Sequence, residues 1–217
     1  MSGVMLWQGE LPPLNEREAL RYAGAKEATP EVLELLKECA QRCQWLLAPR
    51  LCYARYRIKR TQKGLDLGFV HTDSAALMRN LRGCDEIVVF AATLGLELDR
   101  QIARYAHLSP ARSVMLQAIG TERIESLCDA FENELISKGH GLRPRFSPGY
   151  GDLPLELQRD VFAALECAKT IGVSLNESLM MSPSKSVTAI IGLSAEQGER
   201  CVHNCAMCEL EQCLYRR

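Results

Sequence analysis

The segment from Cys84 to Gly95, CDEIVVFAATLG, constrains this chain more than any other. From Ile87 to Ala92 it is continuously apolar. A strand wetted on one face alternates polar and apolar residues, so an unbroken run reads as a strand covered on both faces and central in its sheet. The 217 residues can bury such a strand without covalent staples. With 47% hydrophobic and 24% charged residues, the chain has the make-up of a globular protein. Its 26 basic and 27 acidic side chains leave a formal charge of −1, which removes the electrostatic case for a nucleic-acid binder. No window approaches the roughly 18 apolar residues of a membrane span, and no basic, apolar leader opens the chain. A cytoplasmic, reducing setting is therefore expected.

Helical patterns surround the strand. Asn15 and Glu18 stand in the capping-box relation. Thr29-Pro30 opens a helix whose apolar positions Leu33, Leu36, Ala40, Cys43 and Leu47 repeat at helical spacing. Residues 51–70 predict two strands, LCYARYRI and LDLGFV, around Lys63-Gly64. Arg55, Arg57, Lys59 and Arg60 form a basic patch there, either a solvated strand face or a docking surface for an acidic partner. A short helix over 73–82 ends at Gly83, and LELDRQIARYAHL turns helical. The longest helix covers 110–138, with a stripe of Val114, Ala118, Ile124, Leu127, Cys128, Phe131 and Leu135. A helix over 154–171 faces Leu157, Val161, Leu165 and Ala168 one way, and SVTAIIGLS at 186–194 is the last strand. Without a βαβ rhythm, the expected class is α+β, an antiparallel or mixed twisted sheet with packed helices.

The ten cysteines divide into two populations. Cys39, Cys43, Cys52, Cys84, Cys128 and Cys167 are scattered and read mostly as structural residues; Cys39 and Cys43, four apart on one helix, are either two small buried apolar residues or a metal or redox pair. Cys201, Cys205, Cys208 and Cys213 are crowded at spacings of x3, x2 and x4. In a reducing compartment such clustering points to metal or redox chemistry. Four thiolates suit a [4Fe-4S] cluster or zinc, with free or disulfide-linked thiols as the remaining alternative.

Between the longest helix and the next lies RPRFSPGYGDLP, residues 143–154. Pro148-Gly149 signals a turn, Arg145 offers a bidentate partner for a carboxylate, and Tyr150 adds an aromatic face. This inventory suits a small zwitterionic or anionic ligand as well as a structural loop. Asp152 stands where it can cap the helix that follows, and Ser184-Lys185 reads as a turn before the last strand. His71, His107 and His140 make no metal spacing, and no residue stands out as a general base.

RFSPGY at 145–150 resembles the Arg-x-x-x-Gly-Tyr loop of the activation domain of cobalamin-dependent methionine synthase. FAATLGLELD at 90–99, VMLQAIGTER at 114–123 and IGVSLNESLMMSPSKSVTAI at 171–190 are similar to further family segments in the same order. The resemblance spans about residues 84–194. It divides the chain into a loosely matched N-terminal region, 1–83, an activation-domain-like core, 84–194, and a Cys-rich tail, 195–217. By position the tail stands where the family has a further strand and helix.

The resemblance implies S-adenosylmethionine (AdoMet) binding and support for the reductive methylation of cob(II)alamin. Arg145 would hold the AdoMet carboxylate, Ser147 would contact AdoMet through its backbone, and Gly149 and Tyr150 complete the loop. An acidic residue on the long helix would take the amino group; Glu125 is favoured, and a one-turn shift selects Asp129. The cobalamin would be carried by a separate partner, a methionine synthase or another corrinoid protein, and an electron donor is required. The metal-ligand candidates are Cys201, Cys205, Cys208 and Cys213. Two other readings are a non-catalytic module that contacts the corrinoid protein, and an iron–sulfur or zinc redox protein centred on the tail.

Overall fold

The computed structural model describes residues 3–25 and 27–194. In chain order the elements begin with β1 (Met5–Leu6), α1 (Glu16–Tyr22), α2 (Pro30–Cys43), β2 (Arg50–Arg57), β3 (Lys59–Thr61) and β4 (Gly64–Asp66). Next come β5 (His71–Thr72), α3 (Ala75–Asn80), β6 (Cys84–Thr93), α4 (Leu96–Leu108), α5 (Pro110–Ser137) and β7 (Gly141–Leu142). A 3-10 turn (Leu155–Leu157) leads into α6 (Gln158–Leu165), α7 (Cys167–Thr170), β8 (Ser174–Leu175), β9 (Met181–Ser182) and β10 (Ser186–Ser194). The main sheet is antiparallel, in the order β1-β2-β6-β10-β7. The class is α+β, as expected. No helix among the described residues is long and apolar enough to cross a membrane.

The apolar run of β6 is explained by its place. It sits between β2 and β10, and alternate residues feed two separate cores. Val88, Phe90 and Ala92 join α1, α2, α4 and α5 on one face; Ile87, Val89 and Ala91 join α3, α6 and α7 on the other. Phe131 of α5 anchors the first core, with ring centroids 5.4 Å from Phe90, 5.0 Å from Tyr53 and 6.1 Å from Trp7. Close approach of α5 to α4 and to the residue before β10 requires Gly120. A Cβ there would come within 2.7 Å of Leu98 Cδ2 and 3.1 Å of Lys185 Cε.

Several local expectations need correction. LDLGFV is not one strand: β4 stops at Asp66, and Gly68, with φ +84°, turns the chain toward β5. The hairpin at Lys63-Gly64 joins β3 to β4 in a separate small sheet. On α5 the buried residue is Met115, whereas Val114 faces solvent. The helix expected over 154–171 breaks at Glu166, which takes a left-handed φ of 48°, so Cys167 rather than Ala168 turns inward. All six scattered cysteines are free and buried, as their structural reading implied. In the basic patch, Arg55 meets His140 Nε2, Arg57 pairs with Glu86, and Arg60 donates to the Leu81 and Cys84 carbonyls.

Candidate functional site

The 143–154 loop is held at five positions. Arg143 N–H donates to the Gly192 carbonyl, and Phe146 exchanges both backbone bonds with Ile190, which ties the loop to β10. Ser147 Oγ donates to the Thr188 carbonyl at 2.8 Å. Asn80 Nδ2 donates to the Pro144 carbonyl. Asp152 accepts from the backbone N–H groups of Ala75 and Ala76 and from the Ser74 hydroxyl. The expected capping role of Asp152 is thus real but misassigned: it caps α3, earlier in the chain, and not the helix that follows it. Those hydrogen bonds, from Ser74 first, hold its carboxyl below the usual range.

Within the loop the turn is tight. Tyr150 N–H reaches the Ser147 carbonyl at 3.0 Å and Gly149 N–H reaches the Leu153 carbonyl at 2.9 Å. Gly149 has φ +91° and Gly151 φ +55°, conformations that L side chains avoid. The Tyr150 ring stands edge-on to Phe146, with centroids 5.9 Å apart, and remains 58% exposed.

Loop, α5 and the first residues of β10 enclose a cleft of about 250 Å³. Its wall includes Glu125, Arg145, Ser147, Tyr150, Gln158 and Met181. Four of the five ligand-contact candidates therefore line one cleft, and Gly149 lies in the turn that shapes it. A second cleft of about 260 Å³ lies on the other side of Glu125, lined by Glu18, Glu122, Glu125 and Asp129 with Asn15 and Tyr22.

Arg145 dominates the electrostatics. Nη2 lies 3.2 Å from Glu125 and 2.9 Å from Asp129, and Nε lies 2.9 Å from Glu132. Burial works against its charge, but the surrounding anionic groups outweigh burial and its pKa stands above the ordinary value. Burial pushes the adjacent Cys128 thiol up to about 12, so near neutral pH the carboxylates supply the compensation. Both alternatives for the acidic residue, Glu125 and Asp129, thus meet the same guanidinium. Glu132, Gln158 and Met181 were not anticipated. The signal for Glu132 was present: Glu125, Asp129 and Glu132 recur at helical spacing beside an apolar stripe, where carboxylates require a cation.

The metal candidates Cys201, Cys205, Cys208 and Cys213 lie outside the described residues. Among the described residues no group of His, Cys, Asp and Glu is arranged to hold a metal.

Residues 128–215 match the family described as the vitamin B12 dependent methionine synthase activation domain. The match starts within α5, takes in the loop and β10, and continues through the four clustered cysteines. It therefore extends beyond the 84–194 span at its C-terminal end. Among solved structures, the crystal structure of the MetH reactivation domain bound to AdoHcy aligns with a TM-score of 0.60. It is 17% identical, and the alignment covers 92% of this chain and 81% of that one. The search of curated proteins finds no match. The resemblance to the activation domain thus holds by sequence over residues 128–215 and by fold over most of the chain.

Proposed function

We propose that this chain is an AdoMet-binding reactivation subunit that supports reductive methylation of cob(II)alamin on a separate methionine synthase or related corrinoid protein. The observation that carries this reading is the convergence of Glu125, Arg145, Ser147 and Tyr150 on one cleft, formed by a loop within the family-matched segment. The chemistry of the lining suits an amino acid joined to a flat, partly apolar group. Arg145 and Glu125 carry the two charges, and Tyr150 and Met181 offer aromatic and thioether surface. AdoMet supplies the methyl group and the partner's cobalt is the nucleophile, so the task of this chain is to bind and orient. No proton abstraction is required of it.

Calorimetry on the full chain tests the reading. AdoMet binding is expected, weakened by Arg145→Ala and, to a smaller extent, by Tyr150→Phe. Absence of AdoMet affinity both with and without a corrinoid partner would sink it.

In this reading the core, 84–194, carries the ligand and the tail carries the metal. Cys201, Cys205, Cys208 and Cys213 would hold a [4Fe-4S] cluster or zinc; the support is the number and spacing of the thiolates. A cluster would supply low-potential electron chemistry to the partner, whereas zinc has none. Purification without oxygen, followed by iron, sulfide and zinc analysis, separates the two. Stoichiometric zinc in a colourless protein would remove the electron-relay role.

A further inference from the structure

The three carboxylates around Arg145 are not equivalent. Glu132 meets Nε at 2.9 Å and is 6% exposed, so it is a permanent counter-charge. Asp129 meets Nη2 at 2.9 Å and lines only the second cleft. Glu125 makes the longest contact, 3.2 Å, to the same Nη2, is about as exposed as Asp129 (34% against 32%), and is the residue shared by both clefts. A guanidinium whose side chain is 8% exposed needs counter-charge throughout any binding event. Of the three partners, Glu125 costs least to release. Water can solvate it, and Nη2 keeps Asp129 when it leaves.

We infer that the Arg145–Glu125 ion pair is an internal stand-in for an α-amino-acid zwitterion, exchanged on binding. The ligand carboxylate takes the place of Glu125 on Arg145, and the released Glu125 carboxylate accepts the ligand ammonium. The inference rests on the AdoMet reading and adds to it the basis of selectivity. The charge in the site is balanced before and after exchange. A ligand with only a carboxylate displaces Glu125 and offers it nothing in return. A ligand with only an amine finds Glu125 already engaged. The site therefore selects the complete zwitterion over either half.

The test is calorimetry on the full chain with S-adenosylhomocysteine, its deaminated analogue (carboxylate only) and its decarboxylated analogue (amine only). Wild type is compared with Glu125→Gln, which preserves shape and whose folding is checked by circular dichroism; Glu125→Ala carries the same expectations. S-adenosylhomocysteine should bind about tenfold or more weaker to the variant, through loss of a charge-assisted hydrogen bond. The decarboxylated analogue should weaken in the same direction. The deaminated analogue should instead bind roughly 2–5-fold tighter, because its competitor for a part-exposed pair is gone. This opposition of sign is the signature, since a general loosening of the cleft would weaken all three. Binding of S-adenosylhomocysteine without the reversal overturns the exchange and leaves the AdoMet reading standing. A reversal produced by Asp129→Asn and not by Glu125→Gln also overturns it. Failure of wild type to bind S-adenosylhomocysteine or AdoMet overturns the AdoMet reading itself.

Discussion

At the scale of single residues, the loop depends on backbone geometry as much as on its charged side chains. Gly149 holds φ +91°, and a Cβ there would meet Leu155 Cδ1 at 3.4 Å. Strain therefore decides, and Gly149→Ala should cost about 1 kcal/mol or more. That corresponds to a fall of about 2–4 °C in Tm for a chain of this size, with a parallel loss of AdoMet affinity. Asp152 acts at a distance in sequence, capping α3 through Ala75 and Ala76. Its pKa is lowered in the folded state, chiefly by the Ser74 hydrogen bond, so its contribution is present above the unfolded value and lost as pH falls through the folded one. Asp152→Asn should lower Tm near neutral pH, and the gap to wild type should close in acid. A Tm difference that persists unchanged at low pH would show that charge is not the source.

At the scale of elements, α5 organises both core and cleft. Its apolar face presents Phe131 to three aromatic rings, while its Glu125, Asp129 and Glu132 surround Arg145. Phe131→Ala should therefore destabilise by about 3–5 kcal/mol, measured by urea unfolding. A loss below about 1 kcal/mol would mean that α5 is held chiefly by other contacts. Much of this element was legible in the sequence: its length and its apolar period. What periodicity missed was the phase at its start, where Met115 rather than Val114 is buried. It also missed the break at Glu166. Both depend on which neighbour covers a given face, and a helical repeat specifies a face without specifying its cover. The β3–β4–β5 sheet escaped for a related reason, since alternation marks strands and does not say which strands pair.

At the scale of the whole molecule, the two cysteine populations make a prediction that needs no knowledge of the tail's structure. Cys39, Cys43, Cys52, Cys84, Cys128 and Cys167 are buried on both sides of the sheet. Burial pushes Cys43, like Cys128, up to about 12. Cys52 is lowered to about 7 by its hydrogen bond with Cys167, yet it has no exposed surface. Alkylation of native protein with peptide mapping should leave all six unmodified, and unfolding should expose them. Native labelling of any of the six at the rate of a free thiol would contradict the packing. The sequence by itself determined that a central strand lies within 84–95, that the class is α+β and that Arg145 to Tyr150 resembles a ligand loop. These follow from local pattern, because burial on two faces, turn chemistry and motif spacing are properties of contiguous residues. Only the tertiary structure decided that Arg145 meets three carboxylates of α5, that Asp152 caps a helix some 75 positions earlier in the chain, and that Glu125 is shared by two clefts. Those are contacts between distant segments, and they exist because the sheet brings β10, the loop and α5 together.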